Sequence, residues 1–102
     1  MLKIPEKGFY YHYKHDPAGE VNNYAYEVLG VGHHTEEDGK YFVVYRPLYN
    51  SAVYQADKMF DLRPIEMFME EVFKDGKTIQ RFQKITDENV TAKLEKITGE
   101  MY

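Results

Sequence analysis

Tyr26-Glu27-Val28-Leu29-Gly30-Val31, then Asp38-Gly39, then Phe42-Val43-Val44-Tyr45-Arg46-Pro47-Leu48-Tyr49 decide the fold of this chain. Two β-branched and aromatic runs flank an Asp-Gly pair, which is the strongest short-range hairpin signal. With Asp38-Gly39 at the centre of a two-residue turn, Glu37 faces Lys40, Thr35 pairs with Phe42, His33 with Val44 and Gly32 with Tyr45. Leu29, Val31, Phe42 and Val44 then share the core face, and Gly30 and Gly32 lie beside Tyr45 and Pro47 on the other. A slip of one residue exchanges the two faces.

Outward from this hairpin the chain reads as strands first and a helix last. A strand from Lys7 to Lys14 places Phe9, Tyr11 and Tyr13 on one side and Tyr10, His12 and Lys14 on the other. His15-Asp16-Pro17-Ala18-Gly19 and Asn22-Asn23 are turn residues. Asn50 to Asp57 is less regular, and a short strand is expected around Lys58 to Leu62. Pro64 suits the first position of a helical turn, with Met67, Phe68 and Val72 as its anchors. Asp75-Gly76 predicts a second hairpin joining Glu71-Val72-Phe73 to a strand from Thr78 to Ile85. Asp87 caps a helix from Glu88 to Thr98 that is expected to end at Gly99. Val90, Leu94, Ile97 and Met101 form its apolar stripe. About five short strands, a helical turn before the last of them and tight turns predict an all-β, SH3-like barrel over residues 1–85, with an open β-sheet packed under the terminal helix as the main alternative. A C-terminal helical extension follows over 86–102.

Composition limits the function. The chain has 102 residues and 43% apolar content, enough for one domain. Its net charge of −4 argues against nonspecific DNA binding, which draws on a basic stripe. There is no cysteine, which excludes disulfides, thiolate nucleophiles and Cys-ligated zinc. Met1 to Glu6 has no apolar leader core, and no stretch is long enough to span a membrane, so a cytoplasmic location is expected. Ten Tyr and six Phe with no Trp fit strands, and they also fit half-buried binding walls.

Six strings together resemble the bacterial domain-of-unknown-function family DUF1653. They are Gly8-Phe9-Tyr10-Tyr11-His12-Tyr13-Lys14, Tyr26 to Gly30, His34-Thr35-Glu36, Val43 to Tyr49, Arg63 to Phe68 and Asp75 to Phe82. The resemblance covers residues 8 to 85 in order. Tyr11 and His33 stand where that family often has Arg, Pro47 where Ala is common, and the Trp usual before the Arg-Pro pair is missing. What the resemblance implies is an SH3-like barrel; it brings no established activity, cofactor or catalytic residue.

Three chemistries can be weighed on the polar residues. His33 and His34 are adjacent and point to opposite faces of a strand, so they do not share an ion; His12 and His34 with Glu27 or Glu36 form a metal set only if their strands adjoin. No ligand spacing supports it, and neither a metal nor another cofactor is expected. His12 with Glu27 or Glu66 is the candidate acid–base unit of a small hydrolase or isomerase, although Glu27 or Glu66 beside Arg46 or Arg63 is more simply a structural ion pair. The leading expectation is a non-catalytic module, with Tyr10, His12, Tyr45, Arg46 and Arg63 binding a small anionic or planar ligand such as a nucleotide or a nucleic-acid end. Tyr26 and Tyr49 extend its aromatic wall. A protein-interaction module is the further alternative, and the chain is read as a monomer or a homodimer through its C-terminal helix.

Overall fold

The computed structural model describes residues 3–102; the first two positions of the N-terminal stretch lie outside the described residues. Strands β1 (Gly8–His12), β2 (Ala25–His33) and β3 (Tyr41–Pro47) are followed by the short helix α1 (Ala52–Gln55), strand β4 (Asp61–Pro64) and helix α2 (Ile65–Phe68). Strands β5 (Glu71–Lys74), β6 (Lys77–Gln80) and β7 (Phe82–Lys84) and helix α3 (Glu88–Met101) complete the chain. Five strands form an antiparallel sheet in the order β4-β3-β2-β1-β7, and β5 pairs only with β6. The architecture is mainly β with a C-terminal helix. The two sheets do not close into a barrel, and β4 and β7 remain as edges.

Strand alternation buries both faces of the central sheet. One face carries Tyr10, Val28, Val43, Tyr45 and Phe82, covered by Ile65 and Phe68 of α2. The other carries Phe9 and Ala25, joined by Leu48, Ile85 and Leu94 of α3. The expected split of β1 holds, with Phe9 and Tyr11 toward α3 and Tyr10 toward α2.

The register of β2 against β3 differs from the two-residue turn. His33 pairs with Tyr41, Gly32 with Phe42, Val31 with Val43 and Gly30 with Val44; a bulge at Leu29 then brings Val28 opposite Tyr45. His34 N–H donates to the Lys40 carbonyl at 2.9 Å, closing a five-residue loop in which Gly39 supplies the positive φ of 78°. The His34 ring also serves this loop, its Nδ1 accepting from Glu36 N–H at 3.0 Å. The shift is odd, so Val43 and Tyr45 replace Phe42 and Val44 on the core face. Arg46 shares a face with Phe42 and Val44, so turning Val43 and Tyr45 toward α2 leaves Arg46 on the other face, where it pairs with Glu27, instead of carrying a charge into the core. The glycines do not lie beside Tyr45 and Pro47: a side chain at Gly32 would meet only Val44, at 3.8 Å.

Asp75-Gly76 behaves as expected. Lys74 pairs with Lys77, and both turn residues have positive φ, 52° and 78°, as a type I′ turn requires. The strand expected over Thr78–Ile85 breaks at Arg81. Its N–H donates to the Glu70 carbonyl (3.0 Å) and its carbonyl accepts from Tyr13 N–H (2.8 Å), sending β6 to one sheet and β7 to the other. The short strand comes later than expected, at Asp61–Pro64, and Pro64 caps α2 rather than opening it. Of the expected anchors Phe68 is buried, but Met67 is exposed because it points away from the sheet.

Asp87 caps α3, its carboxylate accepting from Asn89 N–H (2.8 Å) and Val90 N–H (3.2 Å). The helix runs through Gly99 instead of stopping there. Tertiary contacts hold its last turn: Tyr102 O–H donates to the Pro47 carbonyl, Tyr54 O–H donates to the Met101 carbonyl at 3.3 Å, and the Arg46 guanidinium lies 4.0 Å from the Tyr102 ring centre. These outweigh the roughly 1 kcal/mol that glycine costs in a helix. Among the described residues no helix is long and apolar enough to cross a membrane.

Candidate functional site

The α2 face of the sheet gathers rings around Phe82. Phe68 stacks on it with centroids 4.2 Å apart, and Tyr26, Tyr45 and His12 meet it edge to face at 5.7, 5.6 and 5.1 Å. Arg63, brought in by the pairing of β4 with β3, sets its guanidinium 5.5 Å from the same ring. Its Nε–H donates to the Tyr45 hydroxyl at 3.0 Å. Arg63 forms no ion pair among the described residues; the carboxylates of Glu37, Glu27 and Glu70 are taken by Lys40, Arg46 and Arg81. Asp61 lies two residues before Arg63 on the same face. Burial raises its pKa, and Arg63 opposes that rise.

His12 stands at the end of β1. Lys14 N–H donates to its Nδ1 at 3.2 Å, so the neutral ring carries its hydrogen on Nε2. Burial, then the positive charges of Arg81, Lys14, Arg63 and Lys74, lower its pKa to about 4. At neutral pH the ring is therefore an uncharged donor in positive surroundings. The unfolded chain binds this proton near 6.5 and the folded chain only near 4. Between those values the unfolded state holds more protons, so stability falls as pH drops through this window. His12→Gln is expected to narrow the difference in urea midpoint between pH 7.5 and about pH 4.5. An unchanged difference would mean that His12 titrates normally in the fold.

Four of the five residues expected at a ligand groove thus share one face: Tyr10, His12, Tyr45 and Arg63. Tyr10 and Tyr45 are buried, and Tyr10 lines a different concavity from His12. Burial raises the pKa of both hydroxyls, which donate to the Glu6 carbonyl and accept from Arg63 respectively. Arg46 lies on the opposite face. It pairs with Glu27 directly across the strands, Nε to Oε1 at 2.9 Å and Nη2 to Oε1 at 2.8 Å, beneath Tyr102. Glu27 is consequently across the sheet from His12, and Glu66 lies on exposed α2 beside a cavity of about 330 Å³ shared with His34 and Lys40. The structure does not bring His12 together with either carboxylate. Among the described residues no three His, Asp or Glu side chains converge as a metal-binding group.

Tyr24 and Tyr13 join the site without having been singled out by sequence. Tyr24 is 38% exposed and stacks beside His12, centroids 5.6 Å apart at 28°. Its φ is 51°, a left-handed backbone that bulky residues rarely adopt. The signal for it was the preceding Asn22-Asn23, turn residues that make an aromatic at the next position conspicuous. Tyr49 meets Tyr24 at 5.8 Å and shares a hydroxyl–hydroxyl bond with Tyr26. Burial first, then that bond, raises the Tyr26 pKa, so its hydroxyl stays protonated.

Two concavities adjoin these rings. One of about 370 Å³ lies between the end of β1 and the β5–β6 hairpin, lined by His12, Tyr13 and Lys74. Another of about 450 Å³ lies between the N-terminal segment and β6–β7, backed by Tyr10, Phe68 and Phe82.

No curated protein and no solved structure matches the chain. Residues 8–84 match the model of a family described as "Protein of unknown function (DUF1653)". That span begins at the first residue of β1 and ends at the last residue of β7, taking in His12, Tyr24, Tyr45 and Arg63 and leaving α3 outside. The chain belongs to the DUF1653 family.

Proposed function

We propose that this protein is a non-catalytic recognition module that binds a small, planar, anionic ligand of nucleotide-like chemistry at Arg63 and His12. Arg63 carries the reading. Its Nε is committed to the Tyr45 hydroxyl and its plane rests by Phe82, which fixes the guanidinium without neutralising it. A half-buried, oriented and unpaired guanidinium is suited to a carboxylate or phosphate, with the His12 Nε2–H as a second donor and Tyr24 as a stacking surface. The strand order, with the last strand β7 returning beside β1, supports an SH3-like scaffold beneath this site.

Calorimetric titration with nucleoside monophosphates tests the reading. Arg63→Gln is expected to weaken binding by about tenfold or more, since a hydrogen bond to a charged group contributes about 1.5–3 kcal/mol. Arg63→Lys restores the charge without the fork and is expected to recover only part of the loss. Equal affinity in Arg63→Gln and the unaltered protein, or binding by neither, overturns the proposal.

A further inference from the structure

The rings beside Arg63 continue beyond it. From Tyr49 the row passes to Tyr24 (5.8 Å), to His12 (5.6 Å) and to Tyr13 (4.5 Å, 36°). The far end is cationic. Lys14 Nζ lies 6.0 Å from the Tyr13 ring centre and Arg81 Cζ 5.8 Å, while Lys74 Nζ donates to the Tyr13 carbonyl at 2.7 Å. Arg81 is paired with Glu70, and Asp75 sits at the hairpin tip, so the net positive groups at that end are Lys14 and Lys74. The cations therefore gather around His12, Arg63 by way of Phe82 and two lysines by way of Tyr13, while Asp61 is the charge that acts on Tyr49, in a protein whose net charge is −4.

We propose that the row Tyr49–Tyr24–His12–Tyr13 is a stacking platform for single-stranded nucleic acid, with Arg63 holding one phosphate and Lys14 and Lys74 holding later ones. This rests on the small-ligand reading and names the polymer to which that ligand belongs. A free mononucleotide has one phosphate group and one base, and so engages one ring of the row and one phosphate position. Successive unpaired bases offer several ring faces to the row, and the phosphates between them meet more than one of the cations gathered around His12 and Tyr13. A duplex hides its base faces, and the acidic remainder of the surface offers no stripe for its backbone. Lys14, Arg63 and Lys74, with the Glu70-paired Arg81, all act on His12, in keeping with a local anion track.

The test compares thymidine monophosphate, a thymidine tetranucleotide and a short duplex on the full chain, by NMR titration at several salt concentrations. The tetranucleotide is expected to bind at least about tenfold tighter than the monophosphate. Its log affinity should fall with log salt at a slope of about −2, for about three phosphate contacts at −0.7 each. Tyr13→Ala and, at an exposed position that leaves the core intact, Lys14→Gln should both bring the ratio of tetranucleotide to monophosphate affinity toward one. Equal affinity for tetranucleotide and monophosphate overturns the platform and leaves the small-ligand site standing. Binding of neither overturns both, and a duplex bound as tightly as the tetranucleotide overturns the single-strand assignment.

Discussion

Phe68→Ala is expected to cost about 3–5 kcal/mol of stability, the range for truncating a buried phenylalanine. Phe68 is 2% exposed and lies face to face with Phe82, within 5° of parallel. Tyr10 and Tyr45 meet its edges at 5.6 and 5.5 Å. Those three partners come from β7, β1 and β3 of a single sheet, whose hydrogen-bonded spacing keeps them from moving into the space left behind. The upper part of the range therefore applies. For a domain of this size each kcal/mol moves the melting temperature by about 4–8 °C, so a fall of about 16 °C or more is expected. Phe68→Leu retains much of the volume and should cost clearly less. A loss below about 1 kcal/mol for the alanine variant would mean that the rings repack freely.

Leu94→Asp is expected to have an effect of similar size through a different cause. Leu94 is fully buried among Phe9, Ala25, Leu48 and Ile85, with no polar side chain in that cluster to receive a carboxylate. The variant either buries an unpaired charge or releases α3 and exposes the apolar side chains beneath it. Release also frees Val90, Ile97 and Tyr102, the other side chains that pack there. The expected result is a melting temperature lower by about 10 °C or more with reduced helical circular dichroism. The sedimenting mass should stay the same, because α3 satisfies its stripe on its own sheet. A dimer that becomes a monomer would assign the stripe to a second copy, and an unchanged melting temperature would show α3 to be dispensable.

Features fixed by neighbours in sequence were legible in advance. The faces of β1, the Asp75-Gly76 hairpin and the Asp87 cap depend on local alternation, positive φ and one side-chain bond. The β2–β3 register was not legible, because the bulge at Leu29 and the five-residue loop are selected by which side chains α2 can cover. Gly99 reads as a helix stop, yet Tyr102, Arg46 and Tyr54, distant in sequence, carry the helix past it. At the site, parity alone separates Tyr45 from Arg46, since consecutive strand residues face opposite ways. The pairing of Arg63 with Tyr45 depends on β4 lying beside β3, which no local pattern specifies. Tyr24 depends on a left-handed turn that asparagines announce only as a turn.

The most direct measurement of the central claim is the Arg63 Nε–Hε resonance followed during titration with thymidine monophosphate. Binding at the proposed site moves that resonance and the ring signals of His12 and Tyr24 together, with one shared dissociation constant. Saturable shifts confined to Gln80, Gln83 and Lys84 of the N-terminal cleft, with Arg63 and His12 unmoved, would contradict it.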